Sequence, residues 1–295
     1  MIRFLLPALL AISACSHQAD NAIPLQTPLS TNENHPQNPR RSQQIPEKIT
    51  PPPITQNPTT SIPLPTQGKA KLAYHHTSRN GIVLSLVSFD DRDYQLQVAD
   101  QSHGPMTHWN TSKEAARALN GVAAINGGFF TPEGKPLGLV VTHGERRGGI
   151  THTSLGSGIF LTSENHNAIV RRETYTQSPT RWGNITHLLQ SGPMLTENSK
   201  PVSGLSKKNH RPRSFIAWDG NHHWAIGYAE PCTLDGLARA ISGRAPAEFP
   251  IRTAINLDGG RSSDLWVSGQ VSGKETSHRG FLNKPVRNFL VIVPK

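Results

Sequence analysis

Between residues 81 and 100 two apolar-rich runs, GIVLSLVSFD and YQLQVAD, flank the polar triplet DRD, which is the pattern of strand, turn and strand. The same punctuation recurs downstream. VAAINGGFF, LGLVVTHGE, SGIFLTS and AIVRR are runs of branched and aromatic residues broken by Gly, Pro or Asn, and each predicts a strand. SFIAWDGNHHWAIGYAE carries two such runs across Asp219-Gly220-Asn221 and predicts a hairpin, while TAINLDGG, SDLWVSG and NFLVIVP add strand further on. Two segments read differently. TSKEAARALNG opens on Thr or Ser, has an acidic first turn and closes on Asn-Gly; TLDGLARAISG opens on Thr233 and ends at Gly243, so both predict short helices. Many short strands with two or three helices define an α+β domain, a single body of mixed, largely antiparallel sheet, rather than regularly alternating α/β units. No internal repeat is visible.

The first 68 residues show neither periodicity. MIRFLLPALLAISA, residues 1–14, has one basic residue, Arg3, then a short apolar run and small residues, the layout of a bacterial export signal. The run is too short to span a bilayer, which takes about 20 residues. Ile12-Ser13-Ala14-Cys15 resembles the lipobox of bacterial lipoproteins, which implies cleavage before Cys15, lipidation of Cys15 and attachment to a membrane. Ser16 in the next position is similar to the default for the outer membrane of a Gram-negative envelope. An ordinary secretory peptide with a nearby cysteine is the plainer alternative. Residues 15–68 are dominated by Pro, Gln, Asn, Thr and Ser and cannot bury enough surface to offset chain entropy, so a disordered tether is expected there. The folded body then runs over 69–295, a length suited to one domain.

Composition narrows the choice of partner and of chemistry. The formal charge of +10 favours anionic partners such as phosphorylated glycans or lipid head groups, and export argues against nucleic acid. With only two cysteines and Cys15 lipidated, Cys232 has no disulfide partner and is expected to be a half-buried structural thiol. The pairs His75-His76 and His222-His223 point to opposite faces of a strand and lack a second ligand at metal-site spacing, so no metal site is expected of them. No cofactor is predicted. A divalent cation held by oxygen near Asp258 stays open, because such sites leave little sequence trace.

Two segments set a polar side chain and paired glycines at the end of an apolar run. In AAINGGFF, Asn126 leaves the strand before Gly127-Gly128; in AINLDGGRSS, Asp258 does so before Gly259-Gly260. Asn-Gly and Asp-Gly are good turn formers, and a turn alone would account for the glycines. A turn does not require Arg261, Ser262 and Ser263 to crowd in behind Asp258.

Taken with PLGLVV, with LLQSGPML at 188–195, with RPRSFIAW at 211–218 and with the closing PVRNFLVIV, these segments resemble the phosphodiester glycosidase family from about Ala123 onwards. The resemblance implies an envelope hydrolase that cleaves a glycosyl phosphodiester in a phosphorylated glycan or glycolipid and releases the sugar. It implies site roles for Asn126 and Gly127, Ser191 and Gly192, Arg213, Asp258, Gly259, Gly260, Ser262 and Ser263, with Asn288 nearby. Two positions depart from the family pattern. Arg261 replaces a third glycine, and Lys284 stands where an arginine is common, exchanging a two-pronged contact for a point charge.

The chemistry can be argued from the residues themselves. The phosphate of a sugar 1-phosphodiester is already a weak base, so its departure needs electrostatic stabilisation more than a strong acid. Arg213 suits that task. Asp258 is the candidate for attack at the anomeric carbon, as nucleophile or by activating water. Backbone N–H groups at Gly259 and Gly260 and the hydroxyls of Ser191, Ser262 and Ser263 would bind oxygens, and Asn126 would orient a sugar hydroxyl or the water. Glu133, Asp219 and Asp264 are candidates for a second acid, with no choice among them. The competing reading is a catalytically silent carbohydrate- or phosphate-binding lipoprotein. Intact Asn126, Arg213 and Asp258 favour the enzyme, and Arg261 is the feature against it.

Overall fold

A computed structural model describes residues 72–164, 166–243 and 246–295. The signal of 1–14, Cys15 and the tether of 15–68 lie outside the described residues. Within them the apolar runs form strands of three sheets, and every strand pairing is antiparallel. The largest sheet has the order Ala73–Arg79, Ile82–Asp90, His223–Cys232, Arg211–Trp218, Thr253–Asn256, Met194–Glu197, Lys200–Pro201. The second runs Thr276–Arg279, Asp264–Val267, Ala123–Asn126, Asn288–Pro294, Tyr94–Asp100. The third runs Glu145–Arg147, Val140–Thr142, Ile185–Ser191, Gly158–Ser163, Asn167–Arg171.

One central core joins all three sheets. Val87, Phe89 and Ile226 come to it from the first, Val98, Ile125 and Leu290 from the second, and Val140, Phe160 and Leu189 from the third. The near-continuous apolar run in Ile82–Asp90 follows from burial on both faces: Val87 and Phe89 enter this core, while Leu84 and Leu86 pack outwards with Leu237 and Ile241 of the helix Leu234–Ile241. The result is a single α+β domain of antiparallel sheet, divided into three sheets among the described residues.

Four short α-helices occur among the described residues: Ser112–Ala118, Arg172–Gln177, Leu234–Ile241 and Gly269–Ser272. The first and third are the two that their caps predict. Thr111 accepts a hydrogen bond from the Glu114 N–H and Thr233 from the Gly236 N–H. The other two have no side-chain cap hydrogen bond, so no cap announces them in the sequence.

The ends of strands from all three sheets meet at one place. The Asp258 N–H donates to Gly127 O at 3.0 Å, linking the strand Thr253–Asn256 of the first sheet to the strand Ala123–Asn126 of the second. Ser191, closing Ile185–Ser191 of the third sheet, donates its hydroxyl to Asn256 O at 2.9 Å.

Candidate active site

The side chain of Asn126 is completely buried. Its Oδ1 accepts from the Ser214 hydroxyl at 2.6 Å and the Asp264 N–H at 3.0 Å, and its Nδ2 donates to Asp258 O at 2.6 Å. Around it the backbone closes tightly: the Gly127 N–H donates to Asn288 O, and the Gly128 N–H to Asn288 Oδ1, both at 2.8 Å. Gly127 has no room for a side chain, since a Cβ there would lie 2.2 Å from Asn288 Oδ1. A second amide, Asn256, donates to Gly192 O at 3.0 Å and Leu257 O at 2.7 Å, while its own N–H reaches Pro193 O. In this buried knot Asn126 has its hydrogen-bonding capacity used within the protein, where it fixes the strand end that carries Asp258. Ser191 is buried too, and its hydroxyl holds Asn256. Three buried atoms of the knot, Asn256 Oδ1, Ser263 Oγ and Asn288 Nδ2, have no hydrogen-bond partner among the described residues.

Asp258 leaves the knot towards solvent. Burial pushes its carboxyl up to about 6, against the opposing pull of hydrogen bonds from the Ser262 hydroxyl and the Gly259 N–H and of the nearby Lys284 ammonium. The next residues turn sharply, with Gly260 at φ 65° opening the 3-10 turn Gly260–Ser262. In front of that turn is a cleft of about 620 Å³, lined by His210, Arg211, Gly259, Arg261, Ser262 and Lys284 among others, with no carboxylate. Asp258 does not itself line the cleft; it directly precedes the lining residue Gly259, and its carboxyl is close enough to the lining residue Ser262 for that hydroxyl to act on it. The outer wall is tied on by three hydrogen bonds: Arg261 Nε to Leu282 O at 2.6 Å, the Lys284 N–H to Arg261 O at 2.7 Å, and Asn283 Nδ2 to Ser263 O at 2.5 Å.

Arg213 lies behind this wall rather than in it. Only 9% exposed, it donates Nε to Cys232 O at 3.1 Å and Nη2 to Asn209 O at 2.8 Å, and packs against Gly259. Burial lowers its pKa, though the nearby Cys232 opposes this, and it makes no ion pair among the described residues. Two of its nitrogens, Nε and Nη2, are thus engaged within the protein. The strand shifts register between Arg211 and Arg213, and Arg211 is the one left at the cleft. Cys232 is buried, and its thiol is pushed up to about 11, so it is no nucleophile at neutral pH.

None of the three candidates for a second acid lines the cleft. Asp264 accepts from the Ser112 N–H at 2.9 Å and from Arg279 Nη1 at 2.7 Å. Asp219 caps the hairpin turn through the Asn221 N–H and His223 Nδ1, at the far end of the strand Arg211–Trp218. Glu133 is exposed, its carboxyl held low by Thr131. Around Asp258 the neighbours are an N–H, a hydroxyl and an ammonium, a set that solvates an anion and offers a divalent cation no further carboxylate. Sequence reasoning missed Asn256, Ser214, His210, Arg211 and Asn283. The first two sit inside AINLDGG and RPRSFIAW, one or two positions from the residues singled out.

Carbohydrate chemistry enters here on independent grounds. A model of the phosphodiester glycosidase family matches residues 120–293, a span that takes in the knot, Asp258 and most of the cleft wall. That places the protein in the class of glycosidase-type hydrolases. The chain belongs to the phosphodiester glycosidase family. Among solved structures, the catalytic domain of zebrafish N-acetylglucosamine-1-phosphodiester alpha-N-acetylglucosaminidase, auto-inhibited by its pro-peptide, is similar over 76% of this chain and 83% of that one, with TM-score 0.54 and 13% identity. A hypothetical protein from Synechocystis is similar over 75% of this chain and 61% of that one, with TM-score 0.51 and 14% identity. At such identities the likeness is one of fold. No curated protein matches the sequence.

Proposed function

We propose that the protein is a lipid-anchored enzyme of the outer membrane that hydrolyses a glycosyl phosphodiester at the bond between the anomeric carbon and the phosphate oxygen. The observation that carries this reading is the place of Asp258, directly before Gly259 and beside Ser262, both of which line a cleft whose Arg and Lys side chains are all cationic. At neutral pH the Asp258 carboxyl is largely ionised. It attacks the anomeric carbon or deprotonates the water that does, and retention or inversion of the anomeric configuration tells the two apart. As the carbon–oxygen bond breaks, its electron pair goes to the phosphate oxygen, giving a phosphomonoester. Lys284, the N–H group at Gly260, and the charge of Arg213 behind them stabilise that growing negative charge. A phosphomonoester is a weak base, so the departure needs no second carboxyl as proton donor, in keeping with the lone Asp258.

The purified chain, incubated with a sugar 1-phosphodiester, should release free sugar. Release should vanish in Asp258→Asn while the variant stays folded. Tight binding by the unmodified chain with no turnover would reject hydrolysis in favour of a silent binding protein. The anchor is tested by the mass of the N-terminal peptide, which should carry lipid on Cys15.

A further inference from the structure

More positive charge surrounds the cleft than one phosphodiester, with its single negative charge, calls for. Arg211, Arg261 and Lys284 all line it, and none of them is in an ion pair among the described residues. Lys284 acts on Asp258, and Arg213 packs behind Gly259, so these two serve the reacting phosphate. Arg211 and Arg261 stand apart from that pair. Arg211 passes over Gly260, its Cδ 3.6 Å from where a Cβ on that glycine would lie, and Gly260 is the neighbour of Arg261 in the chain. Gly260 at φ 65° puts no side chain between them. Arg261, which also lines the cleft, donates Nε to Leu282 O, and its two terminal nitrogens take no part in that bond. Two arginines lining one cleft supply two forks of the kind that bind phosphate oxygens.

We propose that Arg211 and Arg261 form a second phosphate subsite, so that the substrate is a glycosyl phosphodiester bearing a further phosphate on the side of the leaving group, as in a phosphate-linked repeating glycan. This rests on the cleft being the substrate site of a glycosyl phosphodiester hydrolase. The extra positive charge at Arg261 then selects for a polyanionic substrate.

Calorimetric titration of the full chain with glycerol 1-phosphate and with glycerol 1,3-bisphosphate tests the subsite without reference to the sugar. The bisphosphate should bind at least about tenfold more tightly, because its second phosphate binds intramolecularly. Arg211→Gln and Arg261→Gln should each remove most of that advantage, with glycerol 1-phosphate affinity and the melting temperature little changed. Equal affinity for the two probes, no binding of the bisphosphate, or an advantage that survives both substitutions would overturn the proposal. Turnover separates it from the reading it rests on: a bisphosphate preference without hydrolysis of any sugar 1-phosphodiester leaves the subsite and removes the enzyme, while hydrolysis without the preference does the reverse.

Discussion

The buried knot around Asn126 and the cleft in front of Gly260 are neighbours, yet they are built on opposite rules. In the knot most polar atoms bond within the protein, Asn256 Oδ1, Ser263 Oγ and Asn288 Nδ2 excepted, and the side chains of Asn126, Ser191, Asn256 and Asn288 are sealed from solvent. In the cleft Arg211 and Arg261 are in no ion pair among the described residues, and Arg261 is exposed. The knot decides where Asp258 stands, and the cleft decides what reaches it. Polar residues at a strand end are therefore no sign by themselves of ligand contact, since burying them is tolerated only when they bond to each other.

Substitutions can break this division, the largest effects coming from the knot. Asn126→Ala strands the Ser214 hydroxyl, the Asp264 N–H and the Asp258 carbonyl, and should cost about 3 kcal/mol or more, read as a lower urea midpoint. An unchanged midpoint would mean that the knot does not hold the fold. Gly127→Ala, forced against Asn288, should be at least as damaging.

Asp258→Asn should separate activity from stability. Turnover should fall by about a thousandfold or more, while the melting temperature rises, the gain being on the order of 1 kcal/mol at pH 7. The sign follows from the raised carboxyl: the folded state binds the proton more tightly than the unfolded, so stability falls as pH climbs from the ordinary Asp range through about 6. The stability difference between variant and parent should accordingly close at low pH. In the parent, kcat/KM should rise through about pH 6 as Asp258 ionises; a flat profile from pH 5 to 8 would remove Asp258 as the ionised group.

Arg261→Gly, which restores the residue common in the family, should leave stability unchanged and raise KM several-fold with kcat nearly constant, an effect that shrinks in high salt. Smallest of all, Phe281→Ser on the outer wall should shift stability by less than about 0.5 kcal/mol, since that ring is fully exposed.

Much of the fold was legible because burial writes itself into the sequence. Ile82–Asp90 and Asn288–Pro294 are apolar where both faces are covered, and the helices at Thr111 and Thr233 announce their caps. The edge strand Ala73–Arg79 gives no such signal, having no fully buried residue, and the division into three sheets depends on pairings between distant segments that no local pattern encodes. At the site, Asp258 and the glycines stood out through their placement at the ends of apolar runs. What the sequence could not show was direction. Arg211 and Arg213 are two positions apart, and only the register shift between them sets which one faces the cleft.

The most direct test of the central claim is hydrolysis of a sugar 1-phosphodiester by the purified chain in water enriched in oxygen-18, with both products weighed by mass spectrometry. Attack at the anomeric carbon puts the label in the released sugar and none in the phosphomonoester. Label in the phosphate would mean that the phosphorus–oxygen bond breaks instead, and would contradict the assignment of Asp258 to attack on the sugar.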